Sequence, residues 1–365
     1  MKKGLLIAVL FVFAFMFFAC VEQVEEMKIA MITDVGDIDD KSFNQGTWEG
    51  IVEYATANDI VHDYFQPAAV STADYVDTIE FAIGQGYNII VCPGFLFEEA
   101  IHQVQSVYPD VYFILIDGAP HAGDWVPDIE DNTLSIFFNE HESGWLAGYA
   151  AVMEGFTSLG FTGGMAVPAV VRFGVGFVGG AYYAASVLDL EEFEFEADNY
   201  LYFGNFAPTP DNQAAAAAMY GRGVEVIHAA AGGAGNSVML AAEEVDKWVI
   251  GVDIDQGEQS DTVITSALKA LGVAVQTALE QIFDGTFVGG QSIFLGAAED
   301  GVGLPTGPDS FDRFDNFTRA DYDAIFAELA AGDVTAPISP AELEAYIIAL
   351  GYDVPAGLIA KAGGS

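Results

Sequence analysis

Short, wholly apolar runs recur along this chain, each followed by a polar or glycine-bearing turn and then by residues at helical spacing. Ile29–Ile32, Tyr87–Val91, Val111–Ile116 (VYFILI), Leu134–Phe138, Val224–Ala231 and Trp248–Val252 are such runs. A run that is apolar at nearly every position, rather than at every second one, suits a strand covered on both faces, and strands of that kind belong to parallel sheets flanked by helices. The segments between them read as those helices. Trp48, Ile51, Val52 and Ala55 form one stripe; Ser71–Gly84 follows, with Ser71 or Thr72 as N-cap and Tyr75, Ile79, Phe81 and Ala82 inward. Phe97–Val107, Glu140–Met153, the stretch after Pro168, Pro208–Met219, Gly272–Phe283 and Asp321–Ala331 continue the alternation, with strands also predicted at Ile60–Phe65, Ser158–Met165 and Phe195–Phe203. The fold class is α/β with doubly wound parallel sheets. At 365 residues, two lobes with separate cores are expected.

The formal net charge of −43 excludes broad classes of partner. Such a surface repels nucleic acid phosphates and anionic lipid headgroups. The five histidines show no metal-ligand spacing, so neither a metal nor any other cofactor is expected. Cys92 follows a strand-like run and reads as a small buried hydrophobe rather than a nucleophile.

The first residues form a separate object. Lys2 and Lys3 precede an apolar stretch from Leu5 to Phe18, too short for a membrane span. It ends Phe17-Phe18-Ala19-Cys20, similar to a bacterial lipobox but with Phe17 where Leu is usual. The expectation is a signal peptide over 1–19, lipid on Cys20 and a tether over 20–26; an ordinary secretory signal cut nearby is the alternative. Either places the mature protein outside the cytoplasm.

The chemistry concentrates at strand ends. After Ile29–Ile32 comes a polar loop, Thr33–Gln45, carrying Asp34, Asp37, Asp39, Asp40, Phe43 and Asn44. Ligands of open α/β sheets sit at the carboxyl ends of strands, where this loop lies. Phe43 reads either as a platform for a flat ligand, with Asn44 and Asp34 as hydrogen-bonding partners, or as a ring packed under its own loop. VYFILI ends at Asp117-Gly118, where the carboxylate either faces a ligand or caps a turn. Gly232-Gly233-Ala234-Gly235-Asn236 could suggest a phosphate cradle, but the Lys and Ser of a P-loop are missing. Gly144, Ala147, Gly148 and Ala151 make a small-residue face suited to close helix packing.

The segment DVGDIDDKSFNQGTWEG resembles the signature of the basic membrane lipoprotein (BMP), or PnrA-like, family of ABC-transporter substrate-binding lipoproteins. So do GVDIDQ around Asp253 and the T-S-x-x-K pattern of Thr265, Ser266 and Lys269. The resemblance spans roughly residues 28–340. It implies a two-lobed type I periplasmic-binding-protein fold joined by hinge crossovers. The N-terminal lobe would comprise 27–138 plus 262–286, and the C-terminal lobe 139–261 plus 287–365. It further implies a monomeric receptor, anchored through Cys20, that closes on a purine nucleoside and passes it to a permease, without breaking a bond. Phe43 and Phe173 would sandwich the base, with Asn44 and Asp117 at its edge and Asp34 in the same site, its charge partly neutralised by Lys269. Asp253, Lys269 and the Gly232-Gly233 backbone would hold the ribose. Two other readings share parts of the pattern. The aspartates of DVGDIDD are similar to those of calcium-dependent nucleoside hydrolases, and a receptor for a sugar or other small ligand would share the fold.

Overall fold

The computed structural model describes residues 27–364, so the expected signal peptide, Cys20 and the tether lie outside the described residues. The chain traces β1 (Ile29–Ile32), α1 (Phe43–Ala57), β2 (His62–Phe65), α2 (Thr72–Gly84), β3 (Ile89–Pro93), α3 (Glu98–Gln105), β4 (Tyr112–Ile116) and β5 (Thr133–Phe138). It continues with α4 (Glu140–Glu154), β6 (Leu159–Gly163), α5 (Pro168–Val187), β7 (Tyr200–Tyr202), α6 (Pro210–Gly221), β8 (Val226–Ala230), α7 (Gly235–Glu243), β9 (Trp248–Asp253) and β10 (Val263–Lys269). The last part comprises α8 (Leu271–Phe283), β11 (Gln291–Leu295), β12 (Val302–Gly303), α9 (Arg319–Ala331), α10 (Pro340–Ala349) and α11 (Leu358–Ala362).

The strands form two six-stranded sheets, ordered β11-β5-β4-β3-β1-β2 and β12-β10-β9-β8-β6-β7. All pairings are parallel except β10 with β12. The wholly apolar runs account for this: β1, β3 and β8 are buried at every position, as strands with helices on both faces must be.

The lobe boundaries differ from those expected. β10 belongs to the second sheet, between β9 and β12, so the chain returns to the first lobe at Ala270 and not at 262. β11 belongs to the first sheet, paired with β5, although 287–365 was assigned wholly to the second lobe. The chain therefore crosses between lobes at Asn139, at Ala270 and between β11 and β12. Hydropathy could not reveal this, because an apolar strand reads the same in either sheet. Two local expectations also shift. Phe81 is 56% exposed, since it lies off the Tyr75, Ile79, Ala82 stripe and only edges against Phe65. The strand expected over Phe195–Phe203 is confined to Tyr200–Tyr202.

The small-residue face of α4 does pack closely. A Cβ on Gly144 or Gly148 would collide with the carbonyls of Phe173 and Phe177, and one on Gly176 or Gly180 with those of His141 and Trp145. The α4 and α5 backbones thus touch through glycines on both sides. α5 is long and apolar enough to cross a membrane by composition, but here it is a core helix of the second lobe.

Candidate ligand-binding site

α1 begins at Phe43, so Phe43 and Asn44 sit on its first turn and not in a loop running to Gln45. Asp40 explains the early start. Its carboxylate accepts the backbone N–H groups of Ser42 (2.9 Å), Asn44 (3.0 Å) and Gln45 (3.1 Å), satisfying donors that a helix N-terminus leaves free. Ser42 precedes the helix, where a serine usually caps it, yet its hydroxyl donates instead to Asp253 Oδ2 in the other lobe, at 2.5 Å.

Asp34 accepts from Gly36 N (2.8 Å) and from Asn44 Nδ2 (2.9 Å); the same amide nitrogen also reaches Asp40 Oδ2 at 3.1 Å. Burial pushes the Asp34 carboxyl up to about 6, against the pull of these hydrogen bonds. With both its N–H groups spent, Asn44 presents its carbonyl Oδ1, which is buried and has no partner.

Asp117 and Asp253 occupy matching places in the two lobes. Each ends or immediately follows a buried parallel strand, and each adopts a left-handed backbone conformation, φ 59° and 66°. Asp tolerates that region better than most residues, and such backbone strain gathers at functional sites. Lys269, the last residue of β10, is 4% exposed. Its ammonium pairs with Asp117 Oδ2 and stands 3.3 Å from Glu140 Oε1. It also lies 4.5 Å from the centre of the Phe43 ring and 5.1 Å from that of Phe138, a cation–π geometry. Burial pushes Asp117 up to about 7, with Lys269 opposing the shift. Burial also raises Asp253, opposed again by Lys269. Asp117 Oδ1, like Asn44 Oδ1, is buried without a partner.

The second lobe adds glycine turns and a ring. Gly232 (φ 54°) and Gly233 follow β8; a Cβ on Gly232 would stand 3.4 Å from the Phe206 ring, and one on Gly233 3.1 Å from the Phe206 carbonyl and 3.9 Å from Asp40 O across the cleft. A Cβ on Gly164, just past β6, would collide with the same ring. Phe206 thus lies over the carboxyl ends of β6 and β8. Gln256 closes the far wall, donating from Nε2 to Lys41 O at 2.7 Å.

The structure therefore brings together Asp34, Phe43, Asn44, Asp117, Asp253 and Lys269, with Gly232 and Gly233 near them. It does not bring Phe173 to Phe43. Phe173 is 2% exposed in the second lobe's core, its ring edge-on to His228 at 5.9 Å. The expected sandwich partner is a core residue, because α5 turns that position toward the sheet. Ser42, Asp40, Glu140, Arg172, Phe206 and Gln256 went unassigned from sequence. Only Asp40 carried a local signal, an acid shortly before a helix start.

Residues 27–329 match the family described as "ABC transporter substrate-binding protein PnrA-like". The chain belongs to this family. One relative, the "ABC transporter nucleoside-binding protein BmpA" of Lactococcus lactis subsp. cremoris, is 31% identical over 338 residues, covering 86% of this chain and 89% of that protein. The "CD4+ T-cell-stimulating antigen" of Listeria monocytogenes is 31% identical over 341 residues, covering 87% and 89%. Among solved structures, an ABC transporter solute-binding protein from Aeropyrum pernix K1 has a TM-score of 0.66 at 25% identity, covering 93% of this chain and 90% of that one. The Lac repressor dimer, at 13% identity and a TM-score of 0.54, shares the fold alone. The resemblance carried by residues 34–50 thus holds. This PnrA-like protein is a substrate-binding protein of an ABC transporter, a class that delivers ligand to a permease.

Proposed function

We propose that this PnrA-like protein binds a purine nucleoside between its lobes and releases it unchanged to the permease. The observation that carries the reading is the pair of buried, unpartnered acceptors: Asn44 Oδ1, on the helical turn that carries Phe43, and Asp117 Oδ1, on the carboxylate paired with the Lys269 ammonium over the Phe43 ring. A buried acceptor without a donor is costly, and a ligand edge with N–H groups supplies what is missing. In this reading the base stacks on Phe43, and Asn44, Asp34 and Asp117 address its edge. Phe206, over the glycine turns, takes the role of second ring that sequence assigned to Phe173. Asp253 accepts the two ribose hydroxyls, with Lys269 and the backbone N–H groups of Gly232 and Gly233 alongside. The nucleoside-binding relative at 31% identity supports the ligand class.

A hydrolase is disfavoured by how the loop spends its carboxylates. Asp40 serves three backbone N–H groups, Asp34 serves Gly36 and Asn44, and Asp37 accepts from Gln66 Nε2 at 3.2 Å. These acids build a turn. The mature protein is read as extracytoplasmic and held to the membrane by lipid on Cys20. A thermal-shift screen against adenosine, guanosine, inosine, free bases and pentoses tests the ligand class: stabilisation by nucleosides alone is expected, and stabilisation only by pentoses would sink the reading. Incubation with inosine should release no free base.

A further inference from the structure

Glu140 meets the ligand site from behind. It is the first residue of α4, one position past the Asn139 crossing, and is wholly buried. Oε2 accepts from Arg172 Nε at 2.6 Å, while Oε1 faces Lys269 Nζ at 3.3 Å. Burial works against its ionisation, but Lys269 and Arg172 outweigh burial and hold its carboxyl below the usual range. The same helical turn ties down the other crossings. Glu142 Oε2 accepts from Ala297 N at 2.6 Å, between β11 and β12, and Oε1 from Asn139 Nδ2 at 2.9 Å. The Ser143 hydroxyl lies within hydrogen-bonding distance of the carbonyls of Leu268 (3.0 Å) and Gly303 (3.1 Å). Three residues of this turn, Glu140, Glu142 and Ser143, therefore hold all three passages between the lobes.

Lys269 sits between this turn and Asp117 of the first lobe. A lysine ammonium on four rotatable bonds, buried among carboxylates, goes where the charges pull it. Remove Glu140 and the pull comes from Asp117 and Asp253, on the ligand side.

We propose that Glu140, braced by Arg172, is a positioning residue for the binding site: it shares the Lys269 ammonium with Asp117 Oδ2 at the lobe junction and thereby leaves Asp117 Oδ1 free to engage ligand. The proposal rests on the nucleoside reading of the cleft for its affinity arm. Three charged groups face Asp117: Lys269 on β10, Glu140 on α4 and Arg172 on α5. Glu140 disfavours the ionised form of Asp117, whereas the two cations favour it. A ligand N–H needs the ionised carboxylate, so wild-type affinity falls as pH drops through about 7.

Removing Glu140 or Arg172 should therefore move that acid limb in opposite directions. Glu140→Gln lowers affinity about tenfold at pH 8, through loss of the buried charge that faces Lys269 Nζ at 3.3 Å, and shifts the midpoint to lower pH. Arg172→Gln also weakens binding but shifts the midpoint to higher pH. Calorimetric titration of the full chain with adenosine, guanosine and inosine across pH 5–9 reads both. A loss equal at all pH values, with unmoved midpoints, is what a merely structural role produces and would overturn the proposal. Should Glu140→Gln fail to fold, the upward shift in Arg172→Gln decides alone. If the wild type binds none of the three, the nucleoside reading falls, and the 15N ammonium resonance of Lys269 decides the positioning role separately. That resonance, protected from exchange in the wild type, is expected to broaden away in Glu140→Gln; an unchanged signal overturns the anchor.

Discussion

The two lobes share one plan but equip their halves of the cleft differently. The first offers a dense polar turn in which Asp34, Asp40 and Asn44 fix one another, leaving a single buried acceptor of Asn44 without a partner. The second offers glycine turns under the Phe206 ring, where backbone can approach closely. Their strand-end aspartates differ in the same way. Asp117 is matched by a charge, Lys269, while Asp253 is matched by a neutral hydroxyl, Ser42. A side-chain network with every donor assigned discriminates between ligand edges; a glycine turn adds contact with little demand on which edge is present. In the proposed nucleoside reading, the first lobe would choose the base and the second would grip what has been chosen.

The largest expected effect tests the grip. Asp253→Ala should weaken nucleoside binding by far more than tenfold, since a diol would lose both acceptor contacts, at about 1.5–3 kcal/mol for bonds to a charged group. Calorimetry giving near-wild-type affinity would reverse the comparison. Next comes the ring. Phe206→Ala should cost about tenfold in affinity, in line with about 1–3 kcal/mol per stacked base. Phe173→Leu should lower the melting temperature and leave affinity unchanged; the opposite pattern would restore Phe173 as the stacking residue.

A third test leaves the ligand aside. Gly148→Ala drives a methyl into the Phe177 carbonyl and should destabilise the second lobe by about 1–3 kcal/mol, read by denaturant unfolding. Gly84→Ala, at the end of α2 in the first lobe with nothing within 4 Å of the new methyl, should instead stabilise by about 0.5–1 kcal/mol. Smaller still is a pH effect on stability. Asp34 and Asp117 are raised from 3.8 to about 6 and about 7, so the folded state holds their protons more tightly than the unfolded chain does. Their contribution is full below about pH 4 and is lost as pH rises through 6 to 7. Thermal melts of the wild type from pH 4 to pH 8 should show this loss as a falling melting temperature; one that rises steadily over that range would contradict it.

Much of this was legible in the chain. β1, β4 and β9 lie where their apolar runs predicted, Ser71 caps α2 through Asp74 N, and the α4 glycines pack as their spacing implied. The residues marked at strand ends, Asp34, Asp117, Asp253 and Lys269, converge because parallel strands gather their carboxyl ends on one side. The misses were of another kind. β10 and β11 were assigned to the wrong lobes, and Phe173 was expected at the site although it lies in the second lobe's core, because neither sheet membership nor the facing of a ring on an all-apolar helix leaves a local trace.

What the amino-acid order settled by itself was whatever acts over a few residues: strand, turn and helix, the acid at the end of a strand, the glycine where backbones must touch. Tertiary structure alone decided the pairings across the cleft, Ser42 with Asp253, Lys269 with Asp117 and Glu140, Gln256 with Lys41. The reason is physical. Propensity and periodicity report short-range sterics and burial, whereas a buried charge finds its partner only once two sheets have formed and three chain crossings have set them face to face.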